Sequence, residues 1–353
     1  MEELDDGALR RLADIVREAP LESVPAPEGF DLLEVVGEGG MGTVHRAMDR
    51  RLQRTVALKV GRRASLDCRR RFEQEARITA RLEHPNVPPV FASGQLVDGR
   101  PYYAMRLVAG TNLRELVRRA HESQSAGERT PSLLRIVSTV CDVVHYAHTR
   151  SIVHRDLKPE NVFIGDLGEV WVVDWGLGRI LGGNDGGRPV NPTTLASAEV
   201  PGVRTSGTPM YMAPEQARGE RDFSRVTTDV YALGCLVLEV ITGRPPFAGE
   251  GDARILERLR AGETPALPAA TKASRPLVRI ARKALAPRPQ ERYASARALA
   301  NDLRRFQDGL PVAAYREGVA ERAWRGLRRH RVAAALVVTY VAVRLSMLLG
   351  LGV

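Results

Sequence analysis

Apolar residues change their spacing several times along the chain, and each change predicts a different element. Leu9, Leu12, Ala13 and Val16 recur at helical spacing until Pro20, Pro25 and Pro27 stop the pattern, which predicts a short amphipathic helix and a stiff linker. Val35-Val36, then Val44 to Met48, then Thr55 to Lys59 are short apolar runs bounded by glycine and turn signals, and they predict strands. Arg70 to Glu83 predicts a helix. Residues 30 to 108 therefore read as strands with one helix and residues 109 to 306 as mostly helical, an α+β chain of two lobes without internal repeats. The last run, Val332 to Val353, is apolar except for Arg344. At about 1.5 Å per residue it would form roughly 33 Å of helix, enough to cross a hydrocarbon layer of about 30 Å. The arginine costs roughly 2.5 to 3.5 kcal/mol in such a place, which its many apolar neighbours offset.

Composition narrows the picture. With 44% hydrophobic and 27% charged residues over 353 positions, the chain is neither disordered nor an all-membrane protein. Its three cysteines, Cys68, Cys141 and Cys235, lie far apart, which excludes a disulfide framework and a CxxC metal site and points to a reducing compartment. The net charge of +10 invites a nucleic-acid reading. Only four of the 52 basic residues are lysine, however, and no basic stripe interleaves with aromatics, so a coding bias toward arginine explains the excess and no nucleic-acid partner is expected. The charge is also uneven: residues 1 to 29 carry −5, residues 304 to 331 carry +5 and residues 30 to 303 carry +9. Arg322, Arg325, Arg328, Arg329 and Arg331 directly precede the apolar run, which by the positive-inside rule leaves residues 1 to 331 on the cytoplasmic side of a single-pass anchor; the alternative is a cytosolic protein with a packed or surface helix. The acidic first thirty residues lack the apolar centre of a signal peptide, and no external sensor is expected beyond Val353.

The candidate chemistry begins at Gly37-Glu-Gly-Gly-Met-Gly42. A GxGxxG run alone is weak, since it also opens dinucleotide-binding helices. Here strands flank it on both sides, which makes a flap whose backbone can lie on phosphates. Lys59 ends the strand Val56-Ala57-Leu58-Lys59, where Ala57 leaves room for a flat base, and a lysine retained in so arginine-rich a chain suggests that a compact ammonium is wanted. Such a lysine needs a carboxylate partner. Glu73 and Glu75 lie about 200° apart on the following helix, so only one can face inward, and Glu75 shares its side with Phe72, Ala76 and Thr79.

The densest signal is Ile152-Val-His-Arg-Asp156-Leu-Lys158-Pro-Glu-Asn161-Val-Phe-Ile164. Asp156 can accept the proton of an attacking hydroxyl, Lys158 can neutralise a transferring phosphoryl group and Asn161 can ligate a metal. Asp174 ends a second short strand, and an Asn and an Asp on adjacent hairpin strands form an oxygen-donor set suited to Mg²⁺.

On these motifs, together with Asp174-Trp-Gly176 and Ala213-Pro-Glu215, the chain resembles the bacterial eukaryotic-like (Hanks-type) serine/threonine protein kinases over roughly residues 30 to 306. The resemblance implies a bilobal protein-kinase fold, with a β-rich lobe at 30 to 108 and a helical lobe at 109 to 306, and the C-terminal apolar helix beyond a basic neck at 307 to 331. It implies ATP and Mg²⁺, or Mn²⁺, as cofactors, and protein substrates, the chain itself included through self-association. Asp156 resembles the catalytic base, Asn161 and Asp174 the metal ligands, Lys59 the phosphate clamp and Glu75 its helix partner. Val36, Gly37, Glu38, Gly39, Gly40, Met41, Gly42, Thr43 and Val44 resemble the phosphate flap, Ala57 the base pocket, Met105 the gatekeeper and Val108 part of the hinge. Asp229 resembles the residue that ties down the catalytic loop, and Arg292 the partner of Glu215. Lys158 and Thr208 are what serine/threonine rather than tyrosine specificity looks like.

Three departures stand out. Trp175 replaces the usual Phe, Arg106 stands where Glu is common, and the segment between Gly176 and Ala213 is long and rich in glycine over 182 to 187. That segment suggests activation by phosphorylation, with Thr205 and Ser206, then Thr193, Thr194 and Ser197, as candidate hydroxyls and Arg155 as the docking cation. The rival readings are a pseudokinase scaffold that binds nucleotide without catalysis and a small-molecule phosphotransferase of related fold. The Gly-Thr-Pro and Ala-Pro-Glu segments argue against the latter.

Overall fold

The computed structural model describes residues 25–39, 42–123, 126–181, 209–220, 225–267, 273–319, 321–322, 336 and 339–345. The acidic head, Gly40 and Met41 of the flap, the glycine run 182–187 and the hydroxyls of Thr193, Thr194, Ser197, Thr205, Ser206 and Thr208 lie outside them. Most of the basic neck beyond Arg322 does as well. The described residues fall into two compact units, one with those up to residue 73 and those of 90–107, the other with residues 74–89 and those from 108 onward.

The first unit is an antiparallel sheet of β1 (Phe30–Glu38), β2 (Gly42–Asp49), β3 (Arg54–Gly61), β4 (Val90–Gln95) and β5 (Pro101–Arg106), in the order β1-β2-β3-β5-β4. Central β3 is buried along most of its length, and Val56, Leu58 and Val60 pack with Ala47, Leu96 and Ala104 as the core of this unit. The short apolar run at Val35-Val36 is the end of a nine-residue strand that starts at Phe30 and leads into the glycine turn.

Helix α1 (Leu66–Ala80) starts four residues earlier and ends three earlier than its apolar pattern predicts. Ser65 supplies the start, because its Oγ accepts the Cys68 amide at 3.2 Å and its carbonyl accepts the Arg69 amide at 2.9 Å. The chain turns at Arg81 and Leu82, ahead of Pro85, whose ring disfavours helix at the residue before it. Residues 74–89, which the strand-rich pattern would group with the sheet, belong instead to the helical unit. Leu82 and Val87 enter its core, and Asn86 bonds β9 (Val170–Val172) from both directions, Nδ2 to the Val170 carbonyl at 2.6 Å and its own carbonyl to the Val172 amide at 2.9 Å.

The helical unit is built around α5 (Val226–Thr242), which is buried on every side from Thr228 to Val240. Helices α3 (Ala126–Thr149), α7 (Arg275–Ala284) and α8 (Ala296–Gln307) pack against it, while α2 (Leu113–Glu122) packs on α3. Gly234 permits the close crossing of α5 and α7: a Cβ there would lie 2.7 Å from the Ala284 Cβ. After α8 the chain returns over the unit, because buried Asp302 accepts the Ala313 and Ala314 amides at 2.7 and 2.9 Å and the Tyr293 hydroxyl at 2.8 Å.

Of the apolar run Val332 to Val353, residues 336 and 339–345 are described, all helical. Leu336, Tyr340, Val341, Val343 and Leu345 are exposed. Among the described residues no helix is long and apolar enough to cross a membrane.

Candidate active site

In the β-sheet unit the flap is a hairpin pinched at its neck. Gly39 and Gly42 exchange amide-to-carbonyl bonds of 2.9 and 3.3 Å. Gly42 has no alternative as a residue type, since a Cβ there would sit 2.0 Å from the Val60 carbonyl oxygen. Glu38 pairs with Thr43 and Gly37 with Val44 across the hairpin, and Val36 falls at a break in the register between Val35 and Gly37. Lys59 lies between Val44 and Tyr103 in register, with its Nζ 5.8 Å from the Phe72 ring and 5.9 Å from the Tyr103 ring. That setting is a cation on an aromatic floor. Ala57 is buried and pairs with Met105.

In the helical unit β7 (Ile152–Val153) delivers the chain to a loop held from below. Asp229, on the first turn of α5, accepts the His154 amide through Oδ2 and the Arg155 amide through Oδ1, both at 2.8 Å, and the His148 ring through Oδ2 at 2.8 Å. Burial alone would raise its carboxyl, but the His148 bond and the neighbouring imidazoles and amide override that, and the net shift is downward. Arg155 is thereby fixed at φ 69°, a left-handed conformation that a non-glycine residue adopts only under constraint. Burial and the nearby Arg179 charge bring the Arg155 guanidinium down to about 10, and its Nη1 reaches the Leu177 carbonyl at 3.4 Å.

Asp156 comes next in the loop. Lys158 Nζ donates to its Oδ2 at 2.9 Å, and Asn161 Nδ2 donates to its backbone carbonyl at 2.8 Å. Burial pushes the Asp156 carboxyl up against the pull of Lys158. Burial opposes charge on Lys158 too, but Asp156 prevails and the ammonium is held above its ordinary value. Because Nδ2 of Asn161 is committed to the loop, Oδ1 is its atom left for a cation.

Strands β8 (Val162–Ile164) and β9 form the hairpin that follows, Val162 opposite Val172. Asn161 and Asp174 stand just outside the paired residues, at the same end, rather than within the strands as their spacing suggested. The Val173 amide bonds the Asn161 carbonyl at 2.9 Å and ties the two ends together. Asp174 is the second left-handed residue of the site, at φ 63°. Two hard oxygen donors at one hairpin end are a donor set that fits Mg²⁺. Trp175 is fully buried, tilted against the His154 ring with centroids 4.5 Å apart, and its Nε1 donates to the Val172 carbonyl at 3.3 Å.

Of the two candidate glutamates, Glu75 is 1% exposed and shares its buried side with Phe72, Ala76 and Thr79. Glu73 keeps 41% of its side chain in solvent and pairs with Arg69 at 2.8 Å. Glu215 is buried against Arg292 in a bidentate pair of 2.7 Å bonds, and the Thr228 hydroxyl adds a third at 3.0 Å. Burial would raise its carboxyl, but Arg292 holds it below the ordinary value. Arg106 is exposed at the end of β5.

Two supports escaped sequence reasoning. His148 is hidden in an apolar helix face, where its spacing shows only burial. Gln216 follows Glu215 and bridges two segments, accepting the Ala213 amide and donating to the Arg155 carbonyl, each at 3.0 Å. Neither is marked by a local pattern, because the partner that ties each to the loop, Asp229 for His148 and Arg155 for Gln216, is remote in the chain.

Comparison with known proteins agrees with this geometry. Residues 30–303 match the protein kinase domain. The serine/threonine-protein kinase PknB of Mycobacterium tuberculosis is 35% identical over 297 residues, covering 81% of this chain and 44% of that protein. The serine/threonine-protein kinase PknD of Chlamydia felis is 34% identical over 299 residues, covering 80% and 31%. The probable serine/threonine-protein kinase PknB of Bifidobacterium longum is 34% identical over 300 residues, covering 81% and 41%. The chain thus spans less than half the length of the curated relatives it matches.

Proposed function

The chain belongs to the protein kinase domain family of bacterial Ser/Thr type, and from that premise we propose that it transfers the γ-phosphoryl group of ATP to serine or threonine hydroxyls of proteins. The observation that supports this most is the Asp156 carboxylate paired with Lys158 and fixed by Asn161 within one loop. In this reading Asp156 orients the attacking hydroxyl and takes its proton as the new P–O bond forms and the β–γ bridge breaks, releasing ADP. Lys158 offsets negative charge on the transferring group, and Lys59 with the flap amides holds the phosphates. Asn161 and Asp174 would hold Mg²⁺, which supplies charge neutralisation at the phosphates when bound.

The finer assignments are proposals of the same kind. Glu75 is the partner that positions Lys59. The 177–212 segment carries the autophosphorylation sites, modified between two copies of the chain. The division into an acidic head at 1–29, a kinase domain at 30–306, a neck at 307–331 and a membrane helix at 332–353 is supported by the charge distribution and by the exposed apolar side chains at 336 to 345. Arg344 is supported there by Tyr340, one turn earlier, whose hydroxyl lies 3.2 Å from its Nε.

The test is turnover of full-length protein in detergent micelles with Mg·ATP and a generic protein substrate. Wild type should label the substrate and itself, whereas Asp156→Asn should lose at least about 100-fold in rate while still binding nucleotide. Equal inertness of both proteins with nucleotide bound would favour the scaffold reading.

A further inference from the structure

On three helices of the helical unit the surface arginines are held by partners. On α2, Arg118 and Arg119 pair with Glu115 and Arg118 also with Glu122, each at 2.6 Å. On α6 (Asp252–Arg260), Arg254 and Arg258 pair with Glu250, Arg258 also with Glu263, and Arg260 donates to the Ala217 carbonyl at 3.0 Å. On α8, Arg297 and Arg304 share Asp142, and Arg305 donates to the Pro311 carbonyl. Helix α7 is different. It holds four bases and no acid, and Leu277, Ile280, Ala281 and Ala284 turn to the core. Lys283 is drawn aside, its Nζ 4.5 Å from the Tyr293 ring. Arg275, Arg279 and Arg282 stand at i, i+4 and i+7, within about 60° of one another around the helix, and all three are exposed. Among the described residues Arg279 and Arg282 form no ion pair.

The carboxylate that does reach this stripe comes from the neck. Arg275 Nη1 lies 3.5 Å from Glu321 Oε1. Glu321 accepts the Tyr315 hydroxyl at 2.7 and 2.9 Å and the Gly318 amide at 3.2 Å, and the chain before it is fixed to the body through Asp302. The chain therefore leaves the body beside the first turn of α7, and the next residue, Arg322, opens the run of neck arginines. Val332, where the apolar run begins, lies ten residues further on. Such a length spans at most about 36 Å when extended and about 15 Å as helix, so an anchored chain keeps α7 within tens of ångströms of the lipid.

We propose that the Arg275–Arg279–Arg282 face of α7 is a membrane-docking surface that takes the headgroup phosphates of anionic lipids in the leaflet where the chain is anchored. The inference rests on the anchor reading above and adds a fixed side of the helical unit toward the bilayer. Charge complementarity supports this occupant: the face is of one sign, its guanidinium forks suit phosphate, and the neck that continues it is basic as well. Tethering makes the encounter intramolecular, so a few weak contacts suffice. Single-stranded nucleic acid would find no aromatic side chain on this face to stack its bases.

The test incorporates full-length protein into nanodiscs of phosphatidylcholine alone or of equal parts phosphatidylcholine and phosphatidylglycerol. Its arginines are labelled with phenylglyoxal and read by mass spectrometry. Arg279 and Arg282 should react at least about fivefold more slowly in the anionic discs, and high salt should remove the difference, because the screening length falls to about 3 Å at 1 M. Arg118 on α2 should react alike in both. Equal labelling of Arg279 and Arg282 in the two lipids, with protein held in both, overturns the inference. So does protection already present in detergent without lipid, whether residues 1–29, a second copy or nucleic acid supplies the cover. Full-length protein that separates from lipid altogether would instead count against the anchor, and the inference would fall with it.

Discussion

Asp229 illustrates how much one buried side chain can hold. Its two oxygens accept two consecutive backbone amides, and this holds Arg155 in a left-handed conformation just ahead of Asp156. Asp229→Ala leaves those amides without acceptors, at about 1–3 kcal/mol for each buried group, so the urea midpoint should fall clearly and turnover should fall more than nucleotide affinity. An unchanged midpoint would show that the amides find other acceptors. Glu215 makes a different prediction, through pH. Its carboxyl is held below the ordinary 4.5, so the stabilisation from its pair with Arg292 is complete above that value and is lost as pH falls through the folded-state value. Melting temperature should therefore drop between about pH 5 and pH 3, and Glu215→Gln should be less stable at neutral pH and flatter across that window. Asp156, Lys158, Asn161 and Glu75 were legible as residue types. His148 and Gln216 were not, because what makes them matter is a partner about 60 or more positions away.

At the scale of elements, the strands around the flap and the hairpin β8–β9 follow from short apolar runs and glycine turns. The limits of α1 do not follow from its apolar face. They depend on the Ser65 cap at one end and on a turn toward Pro85 at the other, so the periodic pattern overshoots in one direction and starts late in the other. Helix α5 is the opposite case, apolar all around because it is enclosed on every side. Its crossing with α7 depends on the missing side chain of Gly234. Gly234→Ala should cost about 1–3 kcal/mol in thermal unfolding through overpacking against Ala284. Gly318→Ala, where a Cβ meets nothing within 4 Å, should change little. Equal behaviour of the two variants would mean that α7 shifts freely along α5.

For the whole molecule, the question is what the basic neck and the apolar end do together. If the end spans a bilayer, full-length protein should sediment with membranes through alkaline extraction. Deletion of 332–353 should release it, and Arg344→Leu should strengthen insertion by roughly 2.5–3.5 kcal/mol. Full-length protein that stays in the soluble fraction would remove the anchor from the proposal. Sequence alone determined the family, the order of its motifs and the uneven charge. The reason is that a glycine flap, a lysine on a buried strand and a loop of fixed spacing are local demands, each met by neighbouring residues. Tertiary structure decided what binds across the chain: that residues 74–89 join the helical unit, that His148 shares Asp229 with the loop, and that Gln216 holds the Arg155 carbonyl. Those contacts join segments brought together only by burial of the helical core, and burial leaves no spacing in the chain from which a partner can be read.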